Sequence, residues 1–407
     1  MDVVIVGGGI AGGALATALA AAGRSVTVLE RTAEYKDRVR GEYMQPWGVA
    51  DAQRLGVFDA LLEAGDNVIT KIVPYDELLE PSLAEKFALP IDSVVPGAPG
   101  ALGIGHPAAC DALSAAATNA GAAVVCGVDQ LDFTLGAAPS VRWSTNGTMH
   151  EVACRLVVGA DGRESAVRRQ AGVPLNANPA LLLGAGLVVD DAPGWPTDTF
   201  TVGSEDDRVF FMVPLGNGRV RLYLLYDARD KQRFAGPNKA ERFLAGFALR
   251  SAPIAEEFCS ATPAGPCAVY PMNDSWCDDP APPGAVLIGD AAGYSDPQLG
   301  QGLSIAMRDA RVVSELLADN AEWTSATLEP YVEERTERMR RLRFVNEIMT
   351  ALRSQFDDEG RALRLRAMTL MQQHPELARF RTASLLGPEA APPEAFDESV
   401  RERLLAG

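Results

Sequence analysis

Two kinds of apolar pattern run along the chain. Residues 2 to 6, Ser25 to Glu30, Ala122 to Cys126, Arg155 to Gly159 and Ala285 to Asp290 are short, nearly uninterrupted apolar runs rich in β-branched residues. Such runs predict strands buried on both faces of a parallel sheet. Between them, Ile10 to Ala22 and His106 to Ala120 are built from alanine and leucine at helical spacing, the first stopped by Gly23. Strand, helix and strand in that order predict βαβ units.

The second pattern is alternation. Thr199 to Val213 and Arg219 to Tyr226 read as strands joined by the turn Leu215-Gly216-Asn217-Gly218, an antiparallel hairpin followed by a helix near 238 to 250. Pro46 to Ala64 predicts a helix with Leu55, Leu61 and Leu62 on its apolar side. Residues 67 to 100 are mixed, and a second sheet begins there. From Gly302 onward the pattern is helical, and the charged stretch Glu329 to Arg343 reads as a solvated helix face. No internal repeat and no low-complexity linker interrupts the chain.

Composition narrows the class. At 407 residues, 47% hydrophobic and 22% charged, the chain exceeds a single small domain and has ordinary globular character. Its formal charge of −17 argues against a nucleic-acid partner, which needs a basic footprint. The six cysteines contain no Cys-x-x-Cys pair and the three histidines are far apart, so no metal site is expected and the cysteines read as small core residues. The first residues run straight into a strand without a signal-peptide pattern, and no apolar stretch reaches the length of a membrane span, so a cytoplasmic protein, monomer or homodimer, is expected.

The chemistry-bearing signal begins at Gly7-Gly8-Gly9-Ile10-Ala11-Gly12. It fits G-x-G-x-x-G, with a strand before it, a helix after it and Glu30 at the end of the second strand. Gly7 permits the tight turn, Gly9 a close approach to pyrophosphate and Gly12 close helix–strand packing, while Glu30 suits a ribose hydroxyl pair. Two further elements follow. Val157 to Arg168 ends a buried strand in an Asp161-Gly162 turn, and taken alone reads equally well as an ordinary strand–turn–helix. Gly289-Asp290-Ala291-Ala292 is followed by Asp296 to Ser304. There Asp290 suits a ribityl or ribose hydroxyl, and Gly300 and Gly302 let a helix N-terminus approach a planar ring.

These three elements, in this order, resemble the FAD-dependent aromatic hydroxylase family typified by p-hydroxybenzoate hydroxylase, over roughly residues 1 to 320. The resemblance implies that Gly7, Gly9, Gly12, Glu30 and Arg31 hold the ADP half of FAD and that Arg40 touches the cofactor near its phosphates. It also implies that Asp161 supports FAD and the nicotinamide donor, and that Asp290 binds the central hydroxyls. Pro297, Gly300, Gly302, Leu303 and Ser304 then lie beside the isoalloxazine, with Pro297 and Gly300 the flavin-adjacent candidates. His106 stands where many relatives place an arginine; a polar neighbour of the pyrophosphate is favoured over a proton relay. Tyr294 and Ser304 are further departures from the pattern.

The implied fold is α/β: a Rossmann-like parallel sheet binding FAD, interleaved with a mainly antiparallel substrate domain and finished by C-terminal helices. The FAD domain is expected at 1–70, 101–178 and 276–320, the substrate domain at 71–100 and 179–275, and a helical segment at 321–407 that either covers the pocket or forms a dimer surface. The implied activity is a monooxygenase that uses NADH or NADPH and O2 to insert one oxygen atom into a small aromatic or otherwise apolar organic substrate through a flavin C4a-hydroperoxide. Phe211, Met212 and Tyr223 are candidates for the pocket wall, with plain core as the competing reading. Two alternatives share the FAD elements: a geranylgeranyl-reductase-like alkene reductase and a non-catalytic FAD-binding sensor or interaction protein. Halogenation is not expected, because Gly194-Trp195-Pro196 does not fit the halogenase tryptophan motif.

Overall fold

The computed structural model describes every residue except Arg38, Arg40, Asp66, Asp191, Pro193 and Gly407. Its organising element is a five-stranded parallel sheet, in the spatial order Ala285–Leu287, Leu156–Gly159, Val3–Val6, Val26–Glu30, Ala123–Cys126. The first strand lies at the point where the order reverses, the position at which open α/β sheets bind ligands beyond their strand ends. Gly7 and Ala160 leave the sheet side by side there. On one face the helices Ile10–Ala21, His106–Asn119 and Gly302–Asp319 pack together over Val3, Ile5 and Val158. On the other, the meander Gln130–Thr134, Ser140–Thr145, Thr148–Ala153 places Phe133, Val141 and Trp143 against Val4 and Val157.

A second, eight-stranded sheet is antiparallel throughout except where Thr199–Glu205 runs parallel to Lys71–Asp76. Period-two alternation gives it two apolar faces. Phe210, Met212, Leu222 and Leu224 face a core closed by Phe243 and Phe258, from the helix Lys239–Ala245 and the short helical segment Pro253–Ser260. Val209, Phe211 and Leu225 face the other way, towards the parallel sheet's strand ends. The C-terminal helices Ser325–Arg353 and Asp358–Gln373, with the shorter elements after them, form their own core around Phe344, Phe380 and Phe396. They cover this second face: Phe356 packs on the Phe211 cluster and Leu385 on the neighbouring cluster of Tyr43 and Val213.

Four expectations are corrected. Pro46 to Ala64 is two helices, Pro46–Arg54 and Phe58–Gly65, because Gly56 takes φ +73° between them. Thr199 to Val213 is two strands, Thr199–Glu205 and Arg208–Pro214, reversed at Asp206 with φ +50°. Ala123–Cys126 is an edge strand with both terminal residues exposed, not a buried one. The charged stretch Glu329 to Arg343 is solvated only in part: Arg335 and Arg338 are buried against Asp309, which is 0% exposed.

Candidate functional site

The cavity starts at the turn after the first strand. Gly7 has φ +103°, and a Cβ there would overlap the Ala160 carbonyl; one on Gly12 would overlap the Gly7 carbonyl oxygen. Gly9, the N-cap of the helix Ile10–Ala21, has nothing within 4 Å of its Cβ position and no side chain caps the helix. The first-turn N–H groups at Ile10 and Ala11 are therefore left for an anion in the cavity that both residues line. Glu30 Oε2 accepts the Gly8 N–H at 2.8 Å and Oε1 the Thr32 N–H at 2.8 Å, which fixes the carboxylate at the cavity wall with acceptor capacity to spare. Tyr35 closes this end, its hydroxyl donating to the Gly8 carbonyl at 2.7 Å.

Two turns form the middle. Asp161 Oδ2 accepts the Ala166 N–H at 2.6 Å, while Oδ1 is buried with no hydrogen-bond partner and the residue lines the cavity. Arg168 donates to the carbonyls of Ala291 and Arg163, each at 2.9 Å, so it ties this turn to the Gly289–Ala292 turn as a structural strut. From beneath, Asp309 accepts the Gly289 N–H at 2.7 Å, and Arg335 donates to the carbonyls of Gly289, Ala292 and Gly293. Burial works against the charge of Asp309, yet Arg335 and Arg338 hold its pKa below the ordinary value. Asp290 thus faces the cavity from a rigid base, paired with Arg163 at 3.3 Å, whose guanidinium lies 3.9 Å over the Tyr294 ring.

At the far end Asp296 caps the Pro297–Leu299 turn, accepting the Gln298 N–H at 3.0 Å, and Gly300 takes φ +62° with the Tyr43 ring against it. The helix Gly302–Asp319 begins there without a side-chain cap. Pro297, Gly300, Gly302 and Leu303 line the cavity. Beyond them the wall becomes apolar: Phe200, Phe211, Val213, Leu225, Tyr270 and Met272. Tyr43 stacks on Phe200 at 4.7 Å, and Phe200 on Phe211 at 6.1 Å. Tyr223 donates its hydroxyl to Glu42, a cavity carboxyl whose pKa burial raises and whose Oε1 lies 3.4 Å from the Arg221 guanidinium.

Most of the residues singled out from sequence therefore share one cavity of about 510 Å³, within the ~300–1,000 Å³ range of ligand sites. His106 also lines it, with Nε2 3.6 Å from Cys110 Sγ. Three do not line it. Met212 is 0% exposed in the core behind the sheet, because strand alternation turns it away from Phe211. Ser304 is buried behind the helix start, its Oγ accepting the Gln45 N–H at 3.0 Å. Gly12 acts by packing. Arg40 lies outside the described residues. Sequence reasoning missed Tyr35, Tyr43, Gln298, Phe200, Tyr270 and Met272. Alternation from Phe211 would have found its own face of the strand, but the others come from distant segments without a local signal.

The residues fit FAD. A backbone cradle and a helix N-terminus suit a pyrophosphate, and Glu30 a ribose. Buried polar atoms without hydrogen-bond partners, Asp161 Oδ1, Tyr43 OH and Gln298 Oε1, belong to residues of the same wall. Among the described residues no group of three or more His, Cys, Asp or Glu could hold a metal, and no helix is long and apolar enough to cross a membrane.

A family model described as an FAD binding domain matches residues 1–343. The chain belongs to this FAD-binding family. The FAD-binding protein is 28% identical over 321 residues to squalene epoxidase 2, mitochondrial, from Arabidopsis thaliana, covering 78% of this chain and 54% of the relative. It is 26% identical over 326 residues to menaquinone reductase from Mycolicibacterium smegmatis, covering 78% and 76%. Klebsiella pneumoniae HpxO, solved with FAD, superposes with a TM-score of 0.74 at 18% identity, covering 96% of this chain and 99% of that one. The alignments to the squalene epoxidases span only 54% to 63% of the Arabidopsis enzymes' own length.

Proposed function

We propose that this protein is an FAD-dependent monooxygenase that spends NADH or NADPH and O2 to insert one oxygen atom into a small apolar substrate. The observation that carries this reading is the junction at Pro297–Leu303, where a polar dinucleotide cradle opens directly into an apolar chamber. Gly7, Gly9 and the start of the helix Ile10–Ala21 would hold the pyrophosphate, Glu30 the adenosine ribose, and Asp161 and Asp290 the hydroxyls between. The two-electron chemistry from nicotinamide to dioxygen is what bound FAD supplies. The N-terminus of the helix Gly302–Asp319 directs its positive dipole end at the ring position and favours negative charge there. Phe200, Phe211, Tyr270 and Met272 keep water from the reacting face and orient the substrate by shape.

A reductase reading has its own support, since one relative is by name a menaquinone reductase, aligned over 76% of its length. The test is turnover of the FAD-loaded protein with NADH or NADPH under 18O2, against a panel of apolar aromatic and alkene compounds. One 18O atom per product molecule and no product without oxygen is the result expected. Anaerobic product that has gained two hydrogens and carries no label overturns the proposal in favour of alkene reduction.

A further inference from the structure

A pair of polar side chains is built into the wall of the apolar chamber. Tyr223 stands directly across from Phe211 on the neighbouring strand, on the sheet face that also presents Val213 and Leu225 to the cavity. Its partner on the other side is Gly186, where a Cβ would fall 2.7 Å from Tyr223 Cε1. The glycine leaves the notch in which the phenol ring lies. From there the Tyr223 hydroxyl donates to Glu42 Oε2. Glu42 is 2% exposed, and the Arg221 guanidinium 3.4 Å from its Oε1 is held in turn by Asp37 at 2.6 Å. Tyr223, Glu42, Arg221 and Asp37 thus form one connected polar row, of which Tyr223 and Glu42 line the cavity.

The pair sits where the chamber meets the polar cradle. Glu42 lies between Gly41, whose Cβ position is 3.8 Å from Leu303 Cδ2, and Tyr43, whose ring lies against Gly300. Its backbone carbonyl accepts the Ile104 N–H at 2.9 Å, which fixes the segment beside Gly300–Leu303. An apolar pair of the same shape would close the wall without burying a carboxyl and a hydroxyl, so stability alone gives no reason for these residues here. The Tyr223 hydroxyl gives its one proton to the bond with Glu42 and keeps lone-pair capacity to accept. The residue is only half-buried, and its place on the cavity wall leaves it within reach of a ligand. Burial and the charge of Glu42 hold its pKa well above the ordinary tyrosine value, so it stays a neutral hydroxyl. A ligand O–H is the group that matches an oriented, neutral acceptor in an apolar wall.

We propose that the Tyr223 hydroxyl, oriented by Glu42, accepts a hydrogen bond from the substrate, so that the substrate is an apolar molecule bearing a hydroxyl group. The inference rests on the chamber being the substrate site. It is tested by calorimetric titration of the FAD-loaded protein with 4-propylphenol, 4-propylanisole and propylbenzene, and with 2-naphthol, 2-methoxynaphthalene and naphthalene. Each set shares one apolar frame, and only its first member donates a hydrogen bond. In at least one set the phenol binds about tenfold more tightly than its ether and its hydrocarbon. Tyr223→Phe brings the phenol down to the affinity of the ether and leaves hydrocarbon affinity and FAD content unchanged. Glu42→Leu also weakens the phenol about tenfold, and Glu42→Gln, which keeps an oxygen for Tyr223 to donate to, retains the preference. A merely structural pair would instead lower all members of a set together. Equal affinity within both sets, no binding of any probe, or a phenol preference that survives Tyr223→Phe overturns the inference. The titration uses neither O2 nor NAD(P)H, so its failure is distinct from failure of the oxygen-labelling experiment.

Discussion

The two ends of the cavity are built by opposite means. The nucleotide end is made largely of backbone: Gly7 and Gly300 in left-handed conformations, Gly9 facing open space, two uncapped helix starts and a short turn clamped by Asp309 and Arg335. The substrate end is made of side chains that project from alternate positions of an antiparallel sheet and from helices far along the chain. Backbone construction tolerates few residues at each position, whereas a side-chain wall admits many. The first end therefore fixes a cofactor and the second is free to change its substrate.

The largest effect expected from breaking this contrast is at Gly12. Its Cβ would overlap a backbone oxygen, so Gly12→Val should abolish soluble, FAD-containing protein, read by flavin absorbance after purification. Gly9→Ala should instead leave the apoprotein's melting temperature unchanged and weaken FAD binding alone, since its Cβ meets only the cavity. Next in size is Asp309→Ala, which leaves Arg335 and Arg338 buried without their shared carboxylate and should cost about 3–5 kcal/mol in denaturant unfolding. Neighbouring residues on one strand then divide the two roles. Met212→Ala should lose about 2–5 kcal/mol of stability with ligand preference intact, and Phe211→Ala should lose less stability but alter binding of apolar ligands.

The remaining expected effect is a pH dependence at the ring end. Burial raises Asp274 to about 7, helped by the charge of Asp296, and burial raises Asp296 to about 6. Both folded values lie above the unfolded value near 3.8, so the fold binds the extra protons and stability is fully present below about pH 4. It should fall as pH rises through about 6 to 7, and Asp274→Asn should flatten that slope in unfolding curves measured across the range.

How much was legible in the sequence follows the same division. The glycine turn, Glu30, Asp161, Asp290 and the Pro297–Leu303 segment could be read because a phosphate, a ribose or a flat ring imposes residue types at fixed short spacings. Each of these elements contributes residues to the cavity wall. The parallel strands could be read because burial on both faces leaves a continuous apolar run. Met212 could not be separated from Phe211 until the strand's orientation was known. The charged stretch around Arg335 gave no local sign of burial, since its partner Asp309 lies 26 residues earlier. Tyr270 and Met272 reach the chamber only through tertiary packing.

The central claim is that the polar cradle and the apolar chamber meet at Pro297–Leu303. The most direct measurement is a crystal structure of the protein reconstituted with FAD. The account predicts one FAD per chain, adenosine at Glu30 and the isoalloxazine between Pro297 and Leu303 with one face open to Phe200 and Phe211. A flavin ring outside this junction, or an adenosine in the apolar chamber, would contradict it.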